Sequence, residues 1–266
     1  MVPIWVNQTN NPGLGDFVRI TPSILTLSIQ NKYPIPVFFD NKDMELIFKD
    51  CPYMEILKEK PSNPCLLSTL SILNKNIKYG DIRNKYYGVH FTLHGHEKMS
   101  CPFLELQTSI KLPYKNPVAI FNGVRVKEWY KNHKDIGNNN RSYIIKSLLE
   151  KGFTPIILGN KNDKDLFWSK IDISGCVDML GKTKLSEAVS IINQCQFFVS
   201  NDTCLYHFAS SLMKKGLVFW RDTKYSLDGN LFDSKYIFHY QNEDISTYPV
   251  ILDSFLSNID KASLRT

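Results

Sequence analysis

Short apolar runs alternate along this chain with longer stretches in which apolar residues recur at helical spacing. The apolar runs are Val2–Val6, Ile35–Phe39, Val118–Phe121, Thr154–Leu158, Gln196–Ser200 and Leu217–Trp220. Each run is bounded by Gly, Pro, Asn or other polar residues, and a brief apolar run with such boundaries is typical of a buried strand. Strands of this kind separated by helices predict βαβ units and parallel sheets.

Helical spacing occupies the segments between the predicted strands. Asn140–Lys151 is amphipathic and stops before Gly152, Leu185–Asn193 precedes the strand at Gln196, and Thr247–Ile259 is predicted as a C-terminal helix. A helical pattern also follows the first strand and continues to about residue 30. Three weaker segments are interpreted as two short surface elements and one strand: Met44–Phe48, Met54–Leu57 and Tyr86–Leu93.

The best linker candidate is Leu112–Pro117, where two prolines enclose a polar hinge. The alternation of strands and helices begins again after this hinge. We therefore expect two Rossmann-like α/β/α domains that face each other across a cleft, covering residues 1–113 and 114–266.

Composition supports a folded protein, and its mildly basic balance is compatible with an anionic partner. The 266 residues are 43% hydrophobic and 12% aromatic, which allows a large core and excludes global disorder. The net charge of +6 suits nucleotide diphosphates, lipopolysaccharide or nucleic acid, and it does not choose among them. An ordinary basic surface has the same charge.

Cysteine usage and the apolar runs indicate a cytoplasmic protein with free thiols. The six cysteines form no C-x-x-C pair, and the first residues lack the basic and apolar segments of a signal peptide. No apolar run reaches the roughly 18–20 residues that cross a bilayer. A peripheral contact with a membrane remains compatible with this composition.

A glycine-rich turn follows the first strand in the stretch NPGLGDFVRITPS, residues 11–23. Gly13 and Gly15 permit a tight turn, and Asp16 stands where the next helix begins. Such a turn brings backbone N–H groups close to a ligand in α/β proteins. Asp16 is interpreted either as a helix cap or as an ionised carboxylate that serves as a general base.

A second polar turn opens the stretch SNDTCLYHFASSL, residues 200–212. Its apolar residues fall at helical spacing, so its polar beginning is predicted to lie at a helix N-terminus, directly after a strand. Backbone N–H groups at that position bind anions. His207 lies one turn after Thr203, so both side chains can face one site, although a lone helical histidine is often structural.

Three stretches together resemble the ADP-heptose:lipopolysaccharide heptosyltransferase family, whose members are inverting glycosyltransferases of the GT-B fold. In residues 180–212 the matching positions are Gly181, Lys182, Thr183, Leu185, Glu187, Asn201, Asp202, Thr203, Cys204 and His207. In the N-terminal turn they are Gly13, Gly15, Asp16, Thr21 and Pro22. The third stretch is FNGVRVKEWYKN, residues 121–132, with Lys127 and Trp129 in a Lys-x-Trp pattern.

The resemblance implies an α/β protein of the GT-B fold, with an acceptor-side domain (1–113) and a domain that binds the nucleotide sugar (114–266). It implies that Asp16 deprotonates the acceptor hydroxyl and that Lys127 neutralises the leaving diphosphate. The implied donor-binding residues are Gly15, Asn122, Gly123, Lys127, Glu187, Asp202, Thr203, Cys204 and His207. No metal or other cofactor is expected, since lysine and the helix dipole would replace it.

Two departures leave the donor sugar and the acceptor open. Cys204 stands where the family usually has glycine, and the chain is short for the family. The acceptor is predicted to be a glycan or glycolipid, or alternatively a hydroxymethylated base in phage or viral DNA. A non-catalytic module that binds nucleotides is the third interpretation.

Two other patterns are compatible with metal ions. His90, His94 and His96 have a spacing that would suit zinc, but a histidine-rich loop facing an acceptor or solvent is favoured because no Cys or carboxylate completes the set. Asp163 and Asp165 form a D-x-D, the divalent-cation signature of the other large glycosyltransferase fold. We interpret this pair as part of a solvated loop near a helix start.

Overall fold

The structure is a computed structural model, and it describes residues 4–6, 15, 18, 24, 28, 31–62, 65–66, 111–123, 133–221 and 237–263. The chain divides into two compact units. Unit one comprises Met1–Gln107 and Ser226–Ser234, and unit two comprises Thr108–Tyr225 and Lys235–Thr266. The boundary expected from the sequence lies between residues 113 and 114.

Unit one contains a parallel sheet with the strand order β3-β2-β1-β4 in its described part. The strands are β1 (Ile4–Val6), β2 (Ile35–Phe39), β3 (Met54–Ile56) and β4 (Cys65–Leu66), and helix α1 (Lys42–Phe48) connects β2 to β3. Residues 15, 18, 24, 28 and 31 are helical, as the sequence predicted for the segment after the first strand. Asn41 caps α1 by accepting the N–H of Asp43.

The prediction of two surface elements in unit one is wrong. Met44 and Phe48 of α1 are fully buried, and the Phe48 ring stacks on Phe39 of β2 at 5.8 Å. Met54 begins a strand that pairs in parallel with β2 through Ile35. Segments this short carry too few periods for the apolar pattern to show which side is buried.

Among the residues that the structure describes, unit two contains a six-stranded parallel sheet with the order β10-β9-β8-β5-β6-β7. The strands are β5 (Pro117–Phe121), β6 (Thr154–Ile157), β7 (Val177–Asp178), β8 (Phe197–Asn201), β9 (Lys215–Trp220) and β10 (Ile237–Gln241). The helices are α2 (Asn138–Glu150), α3 (Lys161–Asp163), α4 (Leu185–Gln194), α5 (Cys204–Ser211) and α6 (Tyr248–Ser263). A π-helical turn, Lys164–Trp168, continues α3.

Both faces of this sheet are covered, as expected for parallel strands. Ile120 and its neighbours on one face pack against α2 and α6, whereas Phe121 and the other face pack against α4 and α5. Helix α2 ends at Glu150, and Gly152, two residues later, has a positive φ of 76° that allows its N–H to bond back to the Leu149 carbonyl. The predicted β5, β6, β8, β9, α2, α4, α5 and α6 are therefore confirmed, with bounds that move by a few residues.

Strands β7 and β10 were missed because their sequences lack a strong apolar run. β7 is two residues long, and β10 lies at the edge of the sheet with no fully buried side chain. The predicted strand Tyr86–Leu93 lies outside the described residues. Among the described residues, no helix combines the length and apolar character that a membrane span requires.

Candidate functional site

Two asparagines stand side by side where the central strands of unit two end. Phe121 of β5 is aligned with Ser200 of β8, so Asn122 and Asn201 follow as neighbours at the carboxyl edge of the sheet. Both asparagines are fully buried, and the Ser200 hydroxyl donates to the Phe121 carbonyl at 2.9 Å. We call Asn122, Asn201, Asp202 and Thr203 the strand-end cluster. Ligands of open α/β sheets bind at this edge.

Several polar atoms of the strand-end cluster are buried and unsatisfied. Four of these atoms have no hydrogen-bond partner within the part of the chain that the structure describes. They are Nδ2 and Oδ1 of Asn122, Oδ1 of Asn201 and Oγ1 of Thr203. An unsatisfied buried donor or acceptor costs about 1–3 kcal/mol. A ligand that carries hydroxyl or phosphate oxygens would satisfy these groups.

Helix α5 begins at the strand-end cluster. Thr203 is its N-cap residue, with extended φ and ψ of −130° and 167°, and makes no side-chain capping bond. The first backbone N–H groups of α5, beginning at Cys204, therefore face the same edge as Asn122 and Asn201. An N-terminus of this kind favours an anion through its N–H groups and its dipole.

Asp202 forms an ion pair that the sequence did not predict. The Lys134 ammonium donates to the Asp202 carboxylate, and the Asn201 amide donates to the Lys134 carbonyl at 2.9 Å. The side chains of Lys134 and Asp202 are only 18% and 15% exposed. Lys134 lies in NHKDIGN, where no motif or periodicity marks it, so only the fold reveals the pair.

The segment that follows Lys134 is fastened to helix α2. Asp135 accepts hydrogen bonds from the guanidinium of Arg141 and from the N–H of Gly137. Arg141 is fully buried, and its guanidinium lies 5.0 Å from the ring centre of Phe167. Burial lowers the pKa of Arg141, and the neighbouring Asp135 carboxylate opposes that shift. These contacts hold the backbone around Lys134 in one place.

Glycine at position 123 makes room for a buried carboxylate. A Cβ atom on Gly123 would lie 2.4 Å from Oδ1 of Asp163, and one on Gly159 would lie 2.9 Å from Oδ2. Asp163 also accepts the N–H of Asn160 at 2.8 Å, and its own N–H donates to the Asn160 side chain at 3.0 Å. This reciprocal capping box starts α3.

The interpretation of the D-x-D pair as a solvated loop is wrong for Asp163, which is almost fully buried in α3, while Asp165 is exposed. The burial of Asp163 depends on the space left by Gly123 and Gly159, which follow the ends of β5 and β6. Sequence spacing around the aspartates contains no sign of that space.

Two other residues of the implied donor set lie on helices of unit two. Glu187, in the first turn of α4, accepts the N–H of Lys184 at 2.7 Å and so caps that helix. His207 is buried in α5, one turn after Thr203, with its ring 4.6 Å from that of Tyr206. The structure thus brings Asn122, Asp202, Thr203 and Cys204 together at the carboxyl edge of the sheet. Glu187, in contrast, makes a capping contact within its own helix.

The catalytic pair implied by the resemblance, Asp16 and Lys127, lies outside the described residues, as do His90, His94 and His96. Gly15 is described as helical and buried. Across the described ranges, no group of three or more His, Cys, Asp or Glu side chains is arranged to hold a metal ion.

Comparison with known proteins gives a family match and a curated relative. Residues 128–246 match glycosyltransferase family 9 (heptosyltransferase). The chain is 36% identical over 77 residues to lipooligosaccharide heptosyltransferase 2 of Haemophilus ducreyi. That match covers 27% of this chain and only 22% of the relative's length.

Solved structures match over most of the chain at low identity. The Escherichia coli ADP-heptose lipopolysaccharide heptosyltransferase II is 13% identical with a TM-score of 0.59, covering 98% of this chain and all of that one. The iron-containing, dodecameric heptosyltransferase TibC of enterotoxigenic E. coli, in complex with ADP-D-β-D-heptose, is 15% identical with a TM-score of 0.62. That match covers 89% of this chain and 61% of TibC. These likenesses confirm the predicted α/β class and GT-B fold.

Proposed function

We propose that this chain, whose residues 128–246 match glycosyltransferase family 9 (heptosyltransferase), transfers a sugar from a nucleotide-diphosphate donor to a hydroxyl acceptor with inversion. The family agrees with the resemblance carried by the three sequence motifs.

One observation carries the donor part of the proposal. The strand-end cluster combines unsatisfied amide and hydroxyl groups with the N-terminus of α5. Phosphate oxygens would accept from the N–H groups, and sugar hydroxyls would satisfy the oxygen atoms of Asn122 and Asn201. Fixed dipoles directed at a leaving diphosphate stabilise the charge that develops during transfer.

In the proposed reaction, the acceptor oxygen attacks the anomeric carbon from the face opposite the nucleotide. A new carbon–oxygen bond forms while the bond to the donor phosphate breaks, and the acceptor proton passes to Asp16. Lys127 neutralises the nucleoside diphosphate that leaves. These two roles rest on the GLGD and Lys-x-Trp stretches and on the general requirement for a base near the attacking hydroxyl.

We propose a heptose-type donor and a glycan acceptor as the first substrates to test. The curated relative is named for transfer to lipooligosaccharide, and TibC was solved with ADP-D-β-D-heptose. The proposed location is the cytoplasm, where nucleotide sugars would be available. No step is assigned to a metal, although TibC contains iron.

The test is a transfer assay with ADP-D-β-D-heptose and a deacylated lipooligosaccharide core, with ADP release and the anomeric configuration of the product as readouts. We expect Asp16→Ala to lower turnover by at least about 100-fold while its Kd for ADP stays within about threefold of the wild type. Lys127→Ala should weaken ADP binding and turnover together. A retained anomeric configuration would contradict the inverting mechanism.

Two other results would select the alternatives. ADP binding without transfer to any glycan would favour a nucleotide-binding module. Transfer to DNA with hydroxymethylated bases, weakening steeply with salt, would favour a DNA glycosyltransferase. Repeating the assay with EDTA, together with metal analysis of the purified protein, tests the absence of a cofactor.

A further inference from the structure

Asp202 places a carboxylate at the end of β8, beside the helix N-terminus that the proposed function assigns to a diphosphate. We propose that Lys134 is a positioning residue of this site: its ammonium neutralises Asp202, so that an anionic diphosphate can bind next to a carboxylate. This inference rests on the proposed function, because it concerns the same ligand.

The first argument is the electrostatics of the site. Two negative charges a few ångströms apart repel each other strongly where the effective dielectric constant is well below that of water. The side chains of Asp202 and Lys134 are largely withdrawn from solvent, at 15% and 18% exposure. Water therefore screens the carboxylate poorly, and the paired ammonium of Lys134 offsets its charge.

The second argument is that Lys134 is held from two sides. Its ammonium contacts Asp202, and its carbonyl accepts the amide of Asn201 at 2.9 Å. The next residue, Asp135, is anchored by the buried Arg141. A lysine held in this way loses little further freedom when a ligand binds, so the neutralised site is preorganised.

The third argument is the chemistry of what remains after neutralisation. With its charge cancelled, Asp202 still offers lone pairs to sugar hydroxyls. Next to it, Asn122 is fully buried and its amide has no partner among the described residues. The paired aspartate and the asparagine would therefore recognise hydroxyl groups, while the α5 N-terminus receives the phosphates.

The experiment is a double-mutant cycle on the full chain with two probes, ADP and adenosine, measured by calorimetry. The variants are Lys134→Met, Asp202→Asn and the double variant, with Lys134→Arg as the conservative replacement. Lys146→Met is the control, because Lys146 lies exposed on α2 in a loose pair with Glu150 and its loss changes the net charge equally.

We expect Lys134→Met to raise the Kd for ADP by at least about tenfold and the Kd for adenosine by less than about threefold. In the Asp202→Asn background, where no carboxylate needs a counter-charge, the same change should alter the Kd for ADP by less than about threefold. Lys134→Arg should stay near the wild type, and so should Lys146→Met.

Three results would overturn the inference. An unchanged Kd for ADP in Lys134→Met would show that no neutralisation is needed. An equal loss of ADP affinity in the wild-type and Asp202→Asn backgrounds would mean that Lys134 contacts the phosphate itself. Equal losses of affinity for ADP and adenosine would indicate a structural role only. If Lys134→Met does not fold, Lys134→Gln replaces it in the cycle.

The wild-type measurement separates this inference from the proposed function. A wild type that binds no nucleoside diphosphate overturns both. A wild type that binds ADP and transfers sugar, with a Lys134→Met variant that binds ADP equally well, overturns only the role of Lys134.

Discussion

Replacing Gly123 with alanine would test whether the end of β5 is built around the Asp163 carboxylate. The added Cβ atom would lie 2.4 Å from Oδ1, 2.5 Å from Cγ and 2.7 Å from Oδ2 of Asp163. All three distances are too short for nonbonded atoms. Either the carboxylate or the backbone at residue 123 must therefore move by roughly 1 Å to reach an ordinary contact distance.

The loss of stability in Gly123→Ala can be worked out from the contacts that such a movement breaks. Overpacking a dense interior costs about 1–3 kcal/mol. Displacing Asp163 also breaks its bond to the N–H of Asn160 and the start of α3, and the loss of a helix cap costs about 1 kcal/mol. We expect Gly123→Ala to lower the free energy of unfolding by about 2–4 kcal/mol.

The assay is urea unfolding of four proteins: the wild type, Gly123→Ala, Asp163→Ala and the double variant. Alanine at 163 removes all three atoms that the new Cβ would strike, so Gly123→Ala should cost less than about 1 kcal/mol in that background. Gly152→Ala is the control, because its positive φ strains any added Cβ while no atom lies within 4 Å. Gly152→Ala should lower the free energy of unfolding by the same amount with or without the Asp163 carboxylate.

Additive costs for Gly123→Ala and Asp163→Ala would refute the reasoning, because distant, independent sites add within about 0.5 kcal/mol. A stable Gly123→Ala variant with a weakened ADP affinity would also refute it. That outcome would mean that the glycine serves the ligand and not the carboxylate.

Three further predictions concern the scaffold of unit two. Burial alone would raise the pKa of Asp178, but hydrogen bonds from Lys164 and Lys182 outweigh burial and lower that pKa to about 2. The stabilisation it gives is complete above the unfolded value near pH 4 and disappears as pH falls towards 2, so urea midpoints of Asp178→Asn should vary less than those of the wild type over that range. Burial raises the pKa of Cys195 to about 12, so a thiol reagent at neutral pH should modify it only after unfolding, and rapid labelling of the native protein would contradict this. Gly216→Ala would place a Cβ 2.2 Å from the ring of Phe198 and should lower the unfolding free energy by about 1–3 kcal/mol, which a normal urea midpoint would disprove.

Much of the architecture of unit two follows from patterns in the sequence. Apolar runs such as Val118–Phe121 are long enough to mark buried strands, and Gly152 marks where a helix must stop. The helix after residue 203 is also predictable, because Leu205, Phe208 and Ala209 recur at helical spacing and are buried. These features can be predicted because each strand run, helix stop and helical repeat depends on residues that are close together in the chain.

The contacts that shape the site were not predictable in the same way. Lys134 meets Asp202 across 68 positions of the chain, and nothing near either residue indicates the other. The burial of Asp163 in α3 depends likewise on Gly123, which follows the end of β5. Such pairings arise from the order in which parallel strands assemble, and spacing within one segment carries no information about that order.

The way the chain divides has a consequence for dissecting the protein. The chain leaves unit two after Tyr225, contributes Ser226–Ser234 to unit one, and then returns to unit two to form β10 and α6. The Tyr248 ring of α6 then stacks on the Phe219 ring of β9 with their centres 4.4 Å apart, and β10 pairs with residues Gly216–Trp220 of the same strand. A single cut after Gln107 would therefore release every residue of unit two, but it would also separate unit one from its nine residues Ser226–Ser234. A fragment ending at Tyr225 would instead lack β10 and α6 and would expose the parts of β9 that they cover.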